Sequence, residues 1–229
     1  MRPGHKVYCR AVRLIGRLWS GHPRLLFIGD SLTTGCYPWF LVRRIRKHGL
    51  SVGLRIIAKS GVTTRDVHDL LVKQLQRKRG PGSPHAPQQE TGVVVLVGGN
   101  DLKCGYDFQR HRFEHVFSAL LGSLRSSFPR AVLCVGTYPI PGPHARLRPN
   151  STEIVHLELN PTIRTVAKRL GYHLCELESI FEANNDLRRD GVHPTLLGEH
   201  RMADVWFKTI FPLLEATLKT DTVPRSERD

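Results

Sequence analysis

A chain of 229 residues, 40% of them apolar, suffices for one packed domain and leaves little room for a second; it is neither disordered nor fibrous in composition. Lys and Arg number 34 against 20 Asp and Glu, a formal charge of +14 that favours anionic partners: phospholipid head groups, acyl-CoA, nucleic acid or an acidic protein surface. No apolar run approaches the roughly 20 residues of a membrane-spanning helix.

The first 29 residues contain no acid but include Arg2, Lys6, Arg10, Arg13, Arg17 and Arg24. Val7, Ala11, Leu14, Ile15, Leu18 and Trp19 recur between these cations at helical spacing, so residues 1–20 read as a basic amphipathic segment ahead of the domain. The arginines break up any apolar stretch of the kind a secretory signal needs. A helix packed on the domain, a helix lying on an anionic membrane and an organellar transit segment all fit this pattern. Arg24–Gly29 is a compact apolar run that predicts a buried strand. A helix follows over about Pro38–His48, with Phe40, Leu41 and Ile45 on one face. Next come a strand over about Val52–Ala58 and a helix over about Thr64–Arg77, marked by Val67, Leu70, Leu71 and Leu75. Arg79–Thr91, rich in Gly, Pro and Gln, predicts a surface loop.

Val93–Val97 is an unbroken run of Val and Leu and predicts the third strand. A helix over about Phe108–Ser126, a strand over Ala131–Thr137 and a proline-rich loop over Tyr138–Asn150 follow. Asn160 as N-cap and Pro161 in the first helical position predict a helix to Leu170, closed by Gly171. A short strand at Tyr172–Glu176 and a helix over about Leu196–Leu218, with Pro212 as a point of interruption, complete a domain of residues 21–218. The polar residues 219–229 read as a loose tail.

Strands alternating with helices imply a parallel sheet covered on both faces. Five of them suggest a three-layer α/β/α fold with a flavodoxin-like, doubly wound sheet of about five parallel strands, whose sites lie beyond the carboxyl ends of the strands. The first strand delivers Gly29-Asp30-Ser31-Leu32, the second leads to Ser60-Gly61, and the third delivers Gly98-Gly99-Asn100-Asp101. The loop before the last helix holds Asp190-Gly191-Val192-His193-Pro194. A serine hydroxyl is a weak nucleophile until a base takes its proton, and a histidine oriented by a carboxylate is a suitable base. Asp190 and His193 are close enough in sequence for one short loop to set carboxylate against ring. The backbone N–H groups of Ser31 and Gly61 and the side-chain amide of Asn100 are candidate oxyanion donors. Asp30 and Asp101 read as carboxylates that stabilise turns through local N–H groups.

Ser31, Gly61, Asn100 and His193, in this order, resemble the signature of the SGNH (GDSL) hydrolase family, with Asp190 at the position of the family's acid. The resemblance covers roughly residues 24–215 and departs from the family pattern at none of these positions; the basic N-terminal extension is not part of it. It implies a three-layer α/β/α domain and hydrolysis of esters or thioesters, as in lysophospholipases, acyl-CoA thioesterases, acetylhydrolases and carbohydrate deacetylases. No cofactor is called for. The loop Tyr138–Asn150, with Tyr37 and Trp39 beyond the nucleophile, is expected to shape the acyl site.

Other readings stay open. His111-Arg112-Phe113-Glu114-His115 matches the His-x-x-Glu-His pattern of zinc peptidases, with His111 and His115 on one helix face. Basic runs such as Arg43-Arg44-Ile45-Arg46-Lys47 and Arg77-Lys78-Arg79 suit a non-catalytic module that binds a membrane or nucleic acid; no nucleic-acid signature accompanies them, so no nucleic-acid partner is expected. Cys9, Cys36, Cys104, Cys134 and Cys175 are odd in number and lack CxxC spacing, which favours free thiols in a reducing compartment, cytoplasmic or, through the N-terminal segment, organellar.

Overall fold

A computed structural model describes residues 23–77, 90–102, 108–143, 145, 147, 150–181, 186–188 and 190–221. The basic segment 1–20, most of the loop predicted at 79–91, Cys9 and Cys104 lie outside them. Strands β1 (Arg24–Gly29), β2 (Gly53–Ala58), β3 (Glu90–Leu96), β4 (Val132–Gly136) and β5 (His173–Cys175) form one parallel sheet in the order β2-β1-β3-β4-β5. The order reverses between β1 and β3, so the crevice of a doubly wound sheet opens there. Helices α1 (Tyr37–Lys47) and α6 (Leu196–Asp221) pack together on one face. On the other lie α2 (Thr64–Arg77), α3 (Arg110–Ser127), the single turn α4 (Ser151–Ile154) and α5 (Asn160–Arg169). The expected three-layer architecture is thus present. β1, β3 and β4 are buried along almost their whole length, whereas the edge strands β2 and β5 are partly open. Cys134 and Cys175 are buried free thiols on neighbouring strands; burial pushes each up to about 12, and they pack as small hydrophobes.

Most predicted elements end within a residue or two of their observed limits, and four places differ. β3 starts at Glu90, inside the predicted loop, because Arg55 on β2 and Arg24 on β1 pair with the Glu90 carboxylate at 2.9 and 3.7 Å and let an acid enter the sheet. α6 runs through Pro212 without interruption and on to Asp221, taking in the start of the predicted tail. A 3₁₀ turn, Gly99–Leu102, follows β3. The chain is also helical from Ser151 to Arg169, with a wide π turn, Val155–Leu159, between α4 and α5.

Asn160 is therefore not an N-cap. Helix continues on both sides of it, and the wide turn before it accommodates Pro161, which has no N–H to donate. The Asn160 side chain is buried and pairs with both peptide groups of Tyr138, accepting its N–H at 2.7 Å and donating to its carbonyl at 2.9 Å. This fixes the chain where it leaves β4. Asn160→Ala should leave a buried N–H and a buried C=O unpaired and cost about 2–4 kcal/mol, measured by urea denaturation.

Asp30, the residue after β1, has no exposed surface. Its Oδ1 accepts the Leu32 N–H at 3.0 Å, while Oδ2 makes no hydrogen bond of normal geometry. Burial pushes its carboxyl up to about 7; the Leu32 N–H and, from further off, those of Gly98 and Gly99 ease the charge, and Asp101 opposes it. Between about pH 4 and pH 7 the folded protein therefore keeps a proton that the unfolded chain has lost. That contribution to stability is present at low pH and disappears as pH rises through about 7, a difference on the order of 4 kcal/mol. Asp30→Asn should flatten this slope, so its stability relative to wild type should rise between pH 5 and pH 8 in denaturant titrations.

Candidate active site

Three loops leave the carboxyl edge of the sheet around the switch point. The first turns directly after β1. Thr34 N–H donates to the Asp30 carbonyl at 3.2 Å, Gly35 N–H to the Leu32 carbonyl at 3.0 Å, and the Thr34 hydroxyl to the Ser31 carbonyl at 2.8 Å. Ser31 is half-buried at the top of this turn. The Thr34 hydroxyl also meets the Ser60 hydroxyl at 3.2 Å, joining the turn to the loop after β2. In that loop Gly61 is exposed with φ +82°, a left-handed conformation that a side chain would strain. α2 then starts in a reciprocal cap: the Asp66 carboxylate accepts the Thr63 N–H at 2.8 Å, and the Thr63 hydroxyl accepts the Asp66 N–H at 3.4 Å.

Asp101 joins the second loop to the third. Its Oδ2 accepts the Thr64 N–H at 3.0 Å and the Thr64 hydroxyl at 2.9 Å. Burial raises the Asp101 pKa, and these two bonds act against that rise. Asp30 and Asp101 thus hold turns and helix starts as expected, Asp101 across a longer range than a local turn. Asn100 precedes Asp101 in the 3₁₀ turn, half-buried. Neither its carboxamide nor the Ser31 N–H makes a hydrogen bond among the described residues.

The last loop is a narrow hairpin. Leu187 and Pro194 form an antiparallel bridge, Arg188 N–H donates to the His193 carbonyl at 2.7 Å, and Thr195 N–H donates to the Asp186 carbonyl at 2.7 Å. Within it Asp190 Oδ2 lies 2.8 Å from His193 Nδ1, and Oδ1 accepts the N–H groups of His193 and Val192 at 3.0 and 3.1 Å. Partial burial works to raise the Asp190 pKa, but the His193 ring and these two N–H groups outweigh it and hold the carboxyl below its ordinary range. Gly142 N–H donates to the Gly191 carbonyl at 2.7 Å, so the chain after β4 braces the hairpin. No hydrogen bond joins Ser31 Oγ to the His193 ring among the described residues. The structure thus brings Asp190 onto His193 and ties the Ser31, Gly61 and Asn100 loops to one another.

One expectation changes, and one rival reading gains nothing among the described residues. Tyr37 does not line a site: it is fully buried, bonded to the Thr33 hydroxyl at 3.2 Å and packed edge-on against Phe27. His111 and His115 lie exposed on α3, Glu114 between them is paired with Arg169 at 3.0 Å, and no group of three metal-ligating side chains occurs among the described residues. Sequence reading missed Glu199 and Arg188. Glu199, buried on α6, accepts the Cys36 N–H after the serine turn, and Arg188 faces it from the hairpin. No local pattern marks either residue, because their partners are more than ten residues away or are backbone atoms.

Residues 27–201 match the GDSL-like lipase/acylhydrolase family. No curated protein matches in sequence. Among solved structures, the chain is similar to the lipase/acylhydrolase from Enterococcus faecalis at 18% identity and TM-score 0.68, covering 83% of this chain and 96% of that one. The M. smegmatis aryl esterase gives 16% identity and TM-score 0.68 over 83% and 99% of the two chains. The acetyl xylan esterase AlAXEase gives 18% and 0.64 over 82% and 99%. At such identities these likenesses concern the fold. The family match runs from within β1 to within α6 and takes in the three strand-end loops and the His193 hairpin, so the chain belongs to the GDSL-like lipase/acylhydrolase family and is a carboxylic ester hydrolase.

Proposed function

We propose that the protein cleaves an acyl ester or thioester with Ser31 as nucleophile, His193 as general base and Asp190 as the acid that orients it. The observation that carries this reading is the 2.8 Å contact of Asp190 Oδ2 with His193 Nδ1, on a hairpin at the sheet edge from which the Ser31 turn also rises. An ionised carboxylate on Nδ1 holds the proton there and leaves Nε2 as the acceptor. Ser31 Oγ attacks the acyl carbon as its proton passes to Nε2. The C–O or C–S bond then breaks, and His193 gives that proton to the leaving alcohol or thiol. Water repeats the sequence on the acyl-serine, losing a proton to His193, which returns one to Ser31 Oγ. The Ser31 N–H, Gly61 N–H and Asn100 carboxamide are the donors we assign to the oxyanion.

The exposed Leu196 and Leu197, 55% and 56% accessible, with Arg43 close to His200 on the adjoining α1–α6 face, suit a hydrolase that also meets an anionic membrane surface. Labelling and vesicle binding test the two points independently. A fluorophosphonate should label Ser31, and Ser31→Ala should lose both labelling and hydrolysis across a panel of oxygen and sulfur esters of graded chain length. Labelling of the wild-type protein at another serine would overturn the nucleophile assignment, and failure to sediment with anionic vesicles would overturn the membrane surface.

Asn100 gives a sharper test. Asn100→Ala removes one oxyanion donor and leaves nucleophile, base and acid in place. That bond matters most once the tetrahedral oxyanion forms, so the loss should fall on kcat, about 10²–10³-fold, with KM little changed. Steady-state kinetics on the folded variant check this; an unchanged kcat with chemistry rate-limiting would make Asn100 structural only.

A further inference from the structure

The serine turn and the His193 hairpin lie far apart in sequence, and the hydrogen bonds inside each do not join them. Glu199 does. Its side chain is almost fully buried on the first turn of α6, and its Oε2 accepts the Cys36 N–H. Cys36 precedes α1 and provides no side-chain cap, so the carboxylate meets an N–H at the positive end of that helix. Gly35 keeps the approach open, since a Cβ there would stand 2.9 Å from Glu199 Oε1. On its far side Oε1 faces Arg188 Nη2 at 3.9 Å. Arg188 in turn grips the hairpin twice: Nε donates to the Pro194 carbonyl at 2.9 Å, and the backbone N–H donates to the His193 carbonyl at 2.7 Å. One carboxylate and one guanidinium thus connect the end of the serine turn with the carbonyl of Pro194, the residue after the base, while the Arg188 backbone holds the carbonyl of His193 itself.

We infer that Glu199 and Arg188 are positioning residues that set the spacing of Ser31 and His193, an inference that rests on the hydrolase reading above. Neither touches the reacting atoms. The local bonds of the serine turn and of the Asp190–His193 pair need neither residue, so each loop keeps its own shape without them. What the bridge supplies is the placement of one loop against the other. A displacement of about 1 Å between reacting groups can cost on the order of 10²-fold in rate.

The test is a double-mutant cycle with Glu199→Gln and Arg188→Met. Gln keeps the volume and an acceptor for the Cys36 N–H but gives up the charge that faces Arg188. Each single variant should lower kcat by about ten- to a hundredfold with KM within about threefold, and should slow fluorophosphonate labelling of Ser31 by a similar factor. Since both remove one bridge, the double variant should be no slower than the slower single. Arg188→Lys, which restores a charge facing Glu199, should regain part of kcat. Losses that multiply, or an unchanged kcat beside a lowered melting temperature, would overturn the proposal. Arg188 is one-third exposed, so Arg188→Met and Arg188→Lys test the bridge even if Glu199→Gln does not fold. A Ser31→Ala protein that still hydrolyses would sink the nucleophile assignment whatever the cycle shows, and a cycle on melting temperature still reads the bridge in that event.

Discussion

Parallel pairing of three strands at a common level is the constraint from which the rest follows. Gly29, the last residue of β1, is in register with Ala58, the last of β2, and with Leu96, the last of β3. Ladder hydrogen bonds lock that register, so the chain must leave the three strands at one height on one edge. Ser31 comes two residues after the edge, Gly61 three and Asn100 four. Residues from three remote stretches of sequence therefore share a rim before any loop has a shape of its own. The β1–β3 boundary is also where the strand order reverses, so this rim borders an open crevice and not a packed helix.

Loops on a common rim still need fixed heights and angles, and here buried carboxylates and one carboxamide set them. Asp30 receives the Leu32 N–H, Asp101 receives Thr64, Glu199 receives the Cys36 N–H, and Asn160 spans both peptide groups of Tyr138. A hydrophobic contact is non-directional and would hold a loop against the core without choosing its orientation. A carboxylate that accepts a particular N–H fixes direction, and a charge-assisted bond is roughly twice as strong as a neutral one. The cost appears at Asp30, where burial without a full set of partners pushes the carboxyl up to about 7. The protein gives up stability near neutral pH at the residue beside its proposed nucleophile, where a rigid turn has most to offer.

Much of this was legible in the sequence, for identifiable reasons. The unbroken apolar runs at Arg24–Gly29 and Val93–Val97 read as central strands because a parallel sheet covered on both faces excludes polar residues from both sides. Asp190 and His193 read as a pair because their contact closes within three residues. What stayed hidden depends on distance or on an exception to a local rule. Glu90 looked like loop until Arg24 and Arg55 arrived from neighbouring strands. Asn160 before Pro161 has the local form of a helix start, and only the Tyr138 peptide, 22 residues earlier, gives it another task. Pro212 sits inside α6 because packing of a long helix on the sheet outweighs one lost hydrogen bond. Tyr37 sits close to Ser31 in sequence, yet α1 turns it inward to Thr33 and Phe27.

The two kinds of information have a physical division of labour. Residues of the signature lie at loop tips, where chemistry needs exposure, and each is recognisable because its type is dictated by what it would do to a substrate. The residues that hold the tips lie one layer down, and their types are dictated only by a backbone atom somewhere else in the fold. Glu199 and Asp101 are chemically interchangeable in kind with any other acid of the chain; their role comes from where α6 and the 3₁₀ turn set them. A substitution in the upper layer removes a chemical group, whereas one in the lower layer moves a group that is still present. The second kind of change leaves every motif intact and is invisible to motif reading, so the rate constant and not the sequence signature is the measure of whether the layer beneath is in order.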